Sequence, residues 1–296
     1  ADRYAEVCGE IGFWRDELLP VCDSILKRYA RGTRFGIRPD ADGLLGGGSP
    51  RTQLTWMDAK LDEQALTPRH GKAVEVNALW CSAHAVLADR CRRFDSPMAD
   101  RYADLVETIS VAFVRTFWNE QVQWLNDVVN ENGADASLRP NQIFAVSLPH
   151  SPLSPRQQKA VVCAVRENLL TPFGLRTLCP TDPRYSGRCD GNWESRQRAY
   201  HQGTVWAWLI APFIEAYLKS IAAAGGDMSE AVAQAKEWLL GFDGHLDRAA
   251  LGSVSEIFDG DEPHTPRGCF AQAWSVGEVL RAKLLVAKYE THCETR

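Results

Sequence analysis

The sequence is dominated by long segments in which apolar residues recur every three to four positions, and this helical period limits what the chain can fold into. In residues 10–31, for example, Ile11, Trp14 and Leu18 begin an apolar stripe that continues to Tyr29. Such a stripe is typical of an amphipathic helix with one buried face. Similar patterns predict helices over 74–93, 97–118, 140–147, 155–169, 203–224, 228–241 and 270–292. No alternation of strands and helices indicates a parallel sheet, so we expect an all-α domain.

Long polar stretches separate the predicted helices. The stretches 36–73, 171–201 and 243–269 hold most of the Trp, His, Arg and acidic residues. Because loops longer than ~12–15 residues in a compact domain are usually functional, we expect the functional site to lie there. The 296 residues suffice for one large core, and neither an internal repeat nor a low-complexity tract marks a boundary. We therefore expect residues 1–296 to form a single helical domain.

Composition and charge exclude several kinds of partner. The formal net charge is −5 without any Lys/Arg run, so a nucleic-acid surface is not expected. No apolar run approaches the ~18 residues of a membrane span and no signal peptide is visible, so we expect no membrane association. The nine cysteines lack C-x-x-C and zinc-finger spacings. They indicate free thiols in a reducing cytoplasm, and neither a metal nor a cofactor is expected.

The loop before the second predicted helix contains a carboxyl group with unusual neighbours. Asp58 follows Trp56 by two positions and precedes Lys60 by two. A carboxyl group beside an indole can have its pKa raised by partial loss of water, as a general acid requires, whereas a nearby lysine acts in the opposite direction. A surface aspartate that caps a turn is the alternative interpretation.

A second cluster, at 192–208, combines aromatic and polar side chains at the junction of a loop and a helix. His201 and Gln202 can bond sugar hydroxyl groups, and the ring of Trp206 can pack on the C–H face of a sugar. A structural role for His201 and a core-facing Trp208 are the alternatives.

A third cluster, at 253–264, supplies further carboxyl groups. Glu256, Asp259, Asp261 and Glu262 are all candidate bases. The loop lacks the ordered spacing of a calcium site, and a solvated acidic loop is the alternative. Motifs of serine hydrolases, zinc proteases, phosphate-binding loops and dinucleotide sites do not occur in the sequence.

Taken in order, these clusters and their flanking motifs resemble one family closely. The motifs are GIRPD at 36–40, QLTWMDAK at 53–60, TPRHGKAVEVNALW at 67–80, RPNQIFAVS at 139–147, LTPFGLRTL at 170–178, YHQGTVW at 200–206, SEIFDG at 255–260 and QAWS at 272–275. Together they resemble the C-terminal, amylo-α-1,6-glucosidase domain of bacterial and archaeal glycogen debranching enzymes.

The resemblance implies an (α/α)6 toroid, the six-hairpin glycosidase fold related to glucoamylase. It also implies hydrolysis of α-1,6-linked glucosyl stubs of a glycogen-type α-glucan, without a metal or cofactor. Asp58 would be the general acid and Glu256 the general base, with Asp259 in reserve. In an inverting enzyme of this kind the two carboxyl groups lie ~6.5–9.5 Å apart. The residues implied for the sugar subsite are Trp56, Lys60, Arg139, Asn141, His201, Gln202 and Trp206.

The sequence also departs from the family pattern. It predicts fewer helices than a complete toroid contains, and an upstream Trp-Gly-Arg-Asp type of motif is not found, so we expect the C-terminal two-thirds of the domain without its first helices. Gln197 stands where relatives tend to have an acidic residue. A catalytically incomplete fragment or sugar-binding remnant, and a glucoamylase-like or trehalase-like hydrolase, are the alternative hypotheses. Helix faces left without partners would favour homo-oligomers.

Overall fold

The computed structural model describes residues 2–249 and 251–294, and helices form most of it. The first helices are α1 (Asp2–Cys8), α2 (Ile11–Phe13) and α3 (Leu19–Arg31), the last two joined by a π-helical turn at Trp14–Leu18. They are followed by α4 (Val74–Arg93), α5 (Ala99–Phe117), a 3-10 turn at Pro140–Ile143, α6 (Phe144–Ser147), α7 (Pro155–Leu169), α8 (Trp193–Ala199), α9 (Ile210–Ala223), α10 (Met228–Leu246) and α11 (Ala273–Glu294).

The predicted helices are found where the sequence signals are strong. Helices α4 and α7 have the predicted bounds, and α7 begins with a capping box between Ser154 and Gln157 that satisfies free main-chain N–H groups. The helix predicted over 203–224 begins only at Ile210, and this boundary was wrong. Residues Val205–Trp206 instead form a strand, followed by a 3-10 turn at Ala207–Leu209.

Short antiparallel strands connect the loops. They are β1 (Arg38–Pro39), β2 (Leu45–Gly46), β3 (Lys60–Leu61), β4 (Gln64–Ala65), β5 (Lys72–Ala73), β6 (Trp118–Asn119), β7 (Trp124–Leu125), β8 (Val128–Asn130), β9 (Gly133–Asp135), β10 (Leu170–Thr171), β11 (Gly174–Arg176), β12 (Val205–Trp206), β13 (Ile257–Phe258) and β14 (Pro266–Arg267). Strands β10 to β14 form a five-stranded sheet in chain order. Because Trp206 pairs with Ile257, this sheet joins the loop before α9 to the loop before α11.

Helix α9 lies at the centre of the core. It contacts α6, α7, α10 and α11, and Ile210, Phe213, Ile214 and Leu218 on it are completely buried. Most of the buried apolar residues belong to one continuous cluster. The single-domain organisation stays a prediction, and its range takes in residues 1, 250, 295 and 296, which lie outside the described part of the chain.

Two properties of the described residues concern a membrane and a metal ion as possible partners. Within 2–249 and 251–294, no helix is long and apolar enough to cross a bilayer. In the same part of the chain, no three His, Cys, Asp or Glu side chains are grouped so that they can hold a metal ion.

One face of α11 is apolar and exposed. Val276, Leu280 and Leu284 follow one another at four-residue intervals and are 39%, 57% and 63% exposed. Stripes of this kind favour self-association, so the homo-oligomer stays a prediction with a defined surface. We expect the chain to dimerise at micromolar concentration and the double variant Leu280→Glu/Leu284→Glu to be monomeric by light scattering. Leu240→Glu, at an exposed apolar position of α10, is the control; a monomeric wild-type chain would contradict the prediction.

Candidate active site

Aromatic rings from three separate parts of the chain meet at the predicted site. Trp56 makes edge-to-face contacts with His201, Trp206 and Trp208, at ring-centroid distances of 5.4, 5.3 and 5.2 Å. Trp208 stacks on Trp274 at 4.9 Å with 13° between the ring planes. Trp56 and Trp208 are half-buried and Trp274 is exposed, so the cluster reaches the surface. Such rings can pack on the C–H faces of sugars.

Asp58 lies at the edge of this aromatic cluster. Its neighbour Met57 is buried, and the main-chain N–H of Ala59 donates to Nδ1 of His201 at 3.4 Å, which fixes the loop against the cluster. The Asp58 side chain is exposed, and among residues 2–249 and 251–294 no side chain donates a hydrogen bond or ion pair to it. Partial burial by the surrounding protein nevertheless raises the pKa of Asp58. The carboxyl group is therefore accessible and holds its proton more tightly than an ordinary aspartate.

Lys60 belongs to the same loop but is directed to another partner. Its Nζ forms an ion pair with Glu63 at 3.2 Å across the β3–β4 hairpin, and the side chain is partly exposed. The structure gives no contact between Lys60 and Asp58, so the opposing effect of this lysine on the acid is not among the causes of the raised pKa of Asp58.

Glu256 is held beside the cluster by two hydrogen bonds. The hydroxyl group of Tyr200 donates to Oε1 at 2.6 Å, and the main-chain N–H of Cys269 donates to Oε2 at 2.8 Å. Burial, the hydrogen bond to Glu256 and the charges of Glu256 and Asp58 raise the pKa of Tyr200. The rings of Trp56 and Tyr200 both contact that of Trp206, so the sequence motifs at 58 and 256 reach the same aromatic cluster.

Asp259 is in a different environment. It is 4% exposed, accepts from the main-chain N–H of Cys189 at 2.8 Å, and forms an ion pair with Arg267 at 2.9 Å. Arg267 bonds both of its carboxylate oxygens. This arrangement is typical of a structural carboxylate, since its lone pairs are already used.

A buried polar network holds the indole ring of Trp56 in place. The indole N–H of Trp56 donates to Oδ1 of Asn141 at 2.7 Å, and Nδ2 of Asn141 donates to Asp127 at 2.7 Å. Asp127 in turn accepts from Arg69 at 2.7 Å, and Arg69 also forms a bidentate pair with Glu75. Burial alone would lower the pKa of Arg69, but the charges of Asp127 and Glu75 outweigh it, and the pKa is raised.

Four of the predicted sugar-subsite residues are buried as well. Arg139, 2% exposed, donates to the carbonyl oxygen of His201 at 2.8 Å and to Oε1 of Gln202 at 2.7 Å. Gln202 donates to the carbonyl oxygen of Leu66 at 3.0 Å. With Asn141 and Trp206, which are 0% and 2% exposed, these side chains hold the ring cluster in place rather than present a surface to solvent.

Breaking the buried network should destabilise the fold. Asp127→Asn removes one of the two carboxylates that neutralise Arg69, and an unpaired buried charge costs about 3–5 kcal/mol. We expect the free energy of unfolding in urea to fall by that amount. Glu194→Gln is the control, because Glu194 forms an exposed ion pair with Arg198 and should change stability by less than about 1 kcal/mol. Equal losses for both variants would contradict the assignment.

His201 makes stability depend on pH. Burial, followed by the charges of Arg139 and Arg69, lowers its pKa from 6.5 to about 3. Between those values the unfolded chain binds a proton that the folded chain does not, so the free energy of unfolding falls as pH decreases below 6.5. The expected slope is about 1.4 kcal/mol per pH unit. Urea unfolding of His201→Gln at several pH values should give a shallower slope; an unchanged slope would contradict this account.

Several residues of this region were not among the site residues predicted from the sequence. Tyr200 and Trp274 lay within the quoted motifs, and their aromatic character was the available signal. Trp208 is half-buried and stacked in the cluster instead of lying fully in the core. Asp127 gave no signal, because it precedes a strand, β8, that is too short to show a period.

Two solved structures establish the class of fold. The neutral trehalase of Saccharomyces cerevisiae matches with a TM-score of 0.54 and 15% identity over 78% of this chain and 40% of that one. The mannosylglycerate hydrolase of Thermus thermophilus, in complex with Tris, matches with a TM-score of 0.50 and 14% identity over 72% of this chain and 45% of that one. Both are (α/α)6 toroid glycosidases, and this chain has the same fold.

The family follows from the sequence match. The model of the amylo-alpha-1,6-glucosidase family matches residues 1–281, and the chain belongs to that family. A curated relative, the glycogen debranching enzyme of Saccharomyces cerevisiae, is 26% identical over 260 residues. That match covers 65% of this chain and 17% of the yeast protein, so the chain spans a small part of its curated relative. The predicted resemblance and fold class are confirmed, and the chain is a glycosidase domain of the toroid type.

Proposed function

We propose that this chain hydrolyses α-1,6-linked glucosyl stubs of a glycogen-type α-glucan, with Asp58 as general acid and Glu256 as general base. The observation that carries the proposal is the position of both carboxyl groups at one aromatic cluster. Glu256 accepts from Tyr200, whose ring contacts that of Trp206. Trp206 in turn packs against Trp56, two residues before Asp58. An exposed carboxyl group with a raised pKa and a second, hydrogen-bonded carboxylate are the pair that glycoside hydrolysis requires.

The chemistry assigns one proton transfer to each group. Asp58 donates its proton to the glycosidic oxygen as the bond from that oxygen to the anomeric carbon breaks. Glu256 accepts a proton from water as the water oxygen bonds to the same carbon from the opposite face. This single displacement inverts the anomeric configuration and requires the two carboxyl groups to lie ~6.5–9.5 Å apart.

The aromatic cluster supplies the sugar-binding surface. We assign direct sugar contact to Trp56 and Lys60, which have exposed surface, and add Trp208 and Trp274. The buried set of Arg139, Asn141, His201, Gln202 and Trp206 then acts by holding these rings. No step needs a metal or cofactor. The nine cysteines, all free thiols, favour a reducing compartment, so we propose the cytoplasm as the site of action.

Two other functions have specific support. The fold match to a neutral trehalase favours a toroid hydrolase for another α-glucoside. The exposed stripe Val276, Leu280 and Leu284 favours an incomplete domain that binds glucan without cleaving it.

A comparison of substrates tests these functions against one another. The chain is given a glycogen limit dextrin with single α-1,6 stubs, a linear α-1,4 glucan and trehalose, and free glucose is measured. We expect release from the limit dextrin, with β-glucose as the first anomer detected by NMR. Preference for trehalose or the α-1,4 glucan would support the other toroid hydrolases, and binding without release would support the incomplete domain.

A further inference from the structure

Glu256 is fixed at both of its carboxylate oxygens. Tyr200 donates to Oε1 at 2.6 Å and the N–H of Cys269 donates to Oε2 at 2.8 Å, while the N–H of Glu256 itself donates to the carbonyl oxygen of Cys269 at 2.9 Å. A carboxylate has about four lone-pair sites, so these two bonds leave acceptor capacity for a water molecule. Glu256 is therefore oriented without being saturated, in contrast to Asp259, which Arg267 engages at both oxygens.

A glycine makes room for this arrangement. Gly268 adopts φ +66°, and a Cβ atom built on it would lie 2.4 Å from Oε2 of Glu256. Any larger residue would both strain the main chain and displace the carboxylate. Gly268 therefore lets the N–H of Cys269 reach Oε2 of Glu256.

Tyr200 is itself held rigidly. Its ring contacts those of His201 and Trp206 at 4.8 and 5.1 Å, and its carbonyl oxygen accepts from the indole N–H of Trp206 at 3.1 Å. Tyr200 and Gly268 also line a cavity of about 440 Å³, together with Ile257, the chain neighbour of Glu256.

We propose that the hydroxyl group of Tyr200 and the N–H of Cys269, for which Gly268 makes room, form a two-point clamp that orients Glu256 to remove a proton from the attacking water. The inference rests on the proposed function, in which Glu256 is the base. Tyr200 acts through Glu256 and is a positioning residue.

The first test compares Tyr200→Phe with wild type on the limit dextrin. We expect kcat to fall by about ten- to a hundredfold, the loss of one hydrogen bond to a charged group, with KM changed by less than about threefold. Gly268→Ala should lower kcat in the same way.

The matched control is Tyr185→Phe. Tyr185 donates to Asp261 at 2.9 Å in the neighbouring loop, so the variant removes a comparable bond without touching Glu256. We expect it to keep wild-type kcat and KM. Circular dichroism and thermal unfolding of every variant identify any that fail to fold.

A second readout is independent of turnover. The tyrosine ring of Tyr200, labelled with carbon-13, is titrated by NMR in wild type and in Glu256→Gln. Since Glu256 contributes to the raised pKa of Tyr200, the phenol should titrate at lower pH in the variant. An unchanged titration would overturn the clamp.

The outcomes separate the clamp from the proposed function. If Glu256→Gln is inactive while Tyr200→Phe matches wild type, the clamp is overturned and the function stands. If wild type releases no glucose, or Glu256→Gln keeps full activity, the proposed function fails, and the clamp fails with it as a catalytic device. A lowered kcat with KM nearly unchanged in Tyr200→Phe, but not in Tyr185→Phe, supports the clamp.

Discussion

The Asp58→Asn variant should release glucose from a limit dextrin with kcat lowered by about 10²- to 10⁴-fold, the usual contribution of a general acid. The glycosidic oxygen departs with the rest of the glucan, as an alkoxide unless it is protonated, and Asp58 is the accessible carboxyl group whose pKa is raised. The side chain is exposed and has no side-chain partner among residues 2–249 and 251–294, so the substitution should leave stability within about 0.5 kcal/mol of wild type.

The dependence on the leaving group makes this prediction specific. α-D-Glucosyl fluoride needs no proton to expel fluoride, so Asp58→Asn should retain much of the wild-type rate on it. Asp62→Asn is the control, because Asp62 is an exposed acid four residues further on whose positive φ of 49° suits asparagine equally well. An equal loss on dextrin and fluoride would contradict the role of Asp58 as acid.

The Glu256→Gln variant should lose about 10²- to 10⁴-fold in kcat on both substrates, because water must be deprotonated whichever group departs. The amide oxygen can accept from the Cys269 N–H while the amide NH2 donates to the hydroxyl oxygen of Tyr200, so the fold should be retained. Glucose release from the dextrin and fluoride release from the glucosyl fluoride measure the two rates.

Asp259→Asn provides the contrast. The substitution removes a buried charge that Arg267 and the Cys189 N–H engage, so its main effect should be on stability, at about 3 kcal/mol or more. Its kcat below the unfolding transition should stay within about tenfold of wild type. Full activity in Glu256→Gln with loss in Asp259→Asn would reverse the assignment of the base.

The sequence alone could predict the long helices and the motif positions. Apolar periodicity located α4 and α7 because each has a continuous buried stripe, and Ser154 marked the start of α7. It could not predict the strand at Val205–Trp206, since a two-residue strand has no period and depends on pairing with Ile257 more than fifty positions away.

The burial of each site residue could not be predicted from the sequence either. Arg139 and Asn141 belong to motifs that suggest sugar contact, yet both are buried, because Asp127, Thr177 and Gln202 supply their partners. The difference between Glu256 and Asp259 depends on Arg267, which pairs with the second and not the first. Only tertiary contacts separate two acids three positions apart.

The most direct test of the whole account is the glucose released from a glycogen limit dextrin by the wild-type chain beside Asp58→Asn, each first shown to be folded. We expect the wild-type chain to release glucose, with β-glucose formed first, and the variant to lose this release. Release that persists in Asp58→Asn, or no release from a folded wild-type chain, would contradict it.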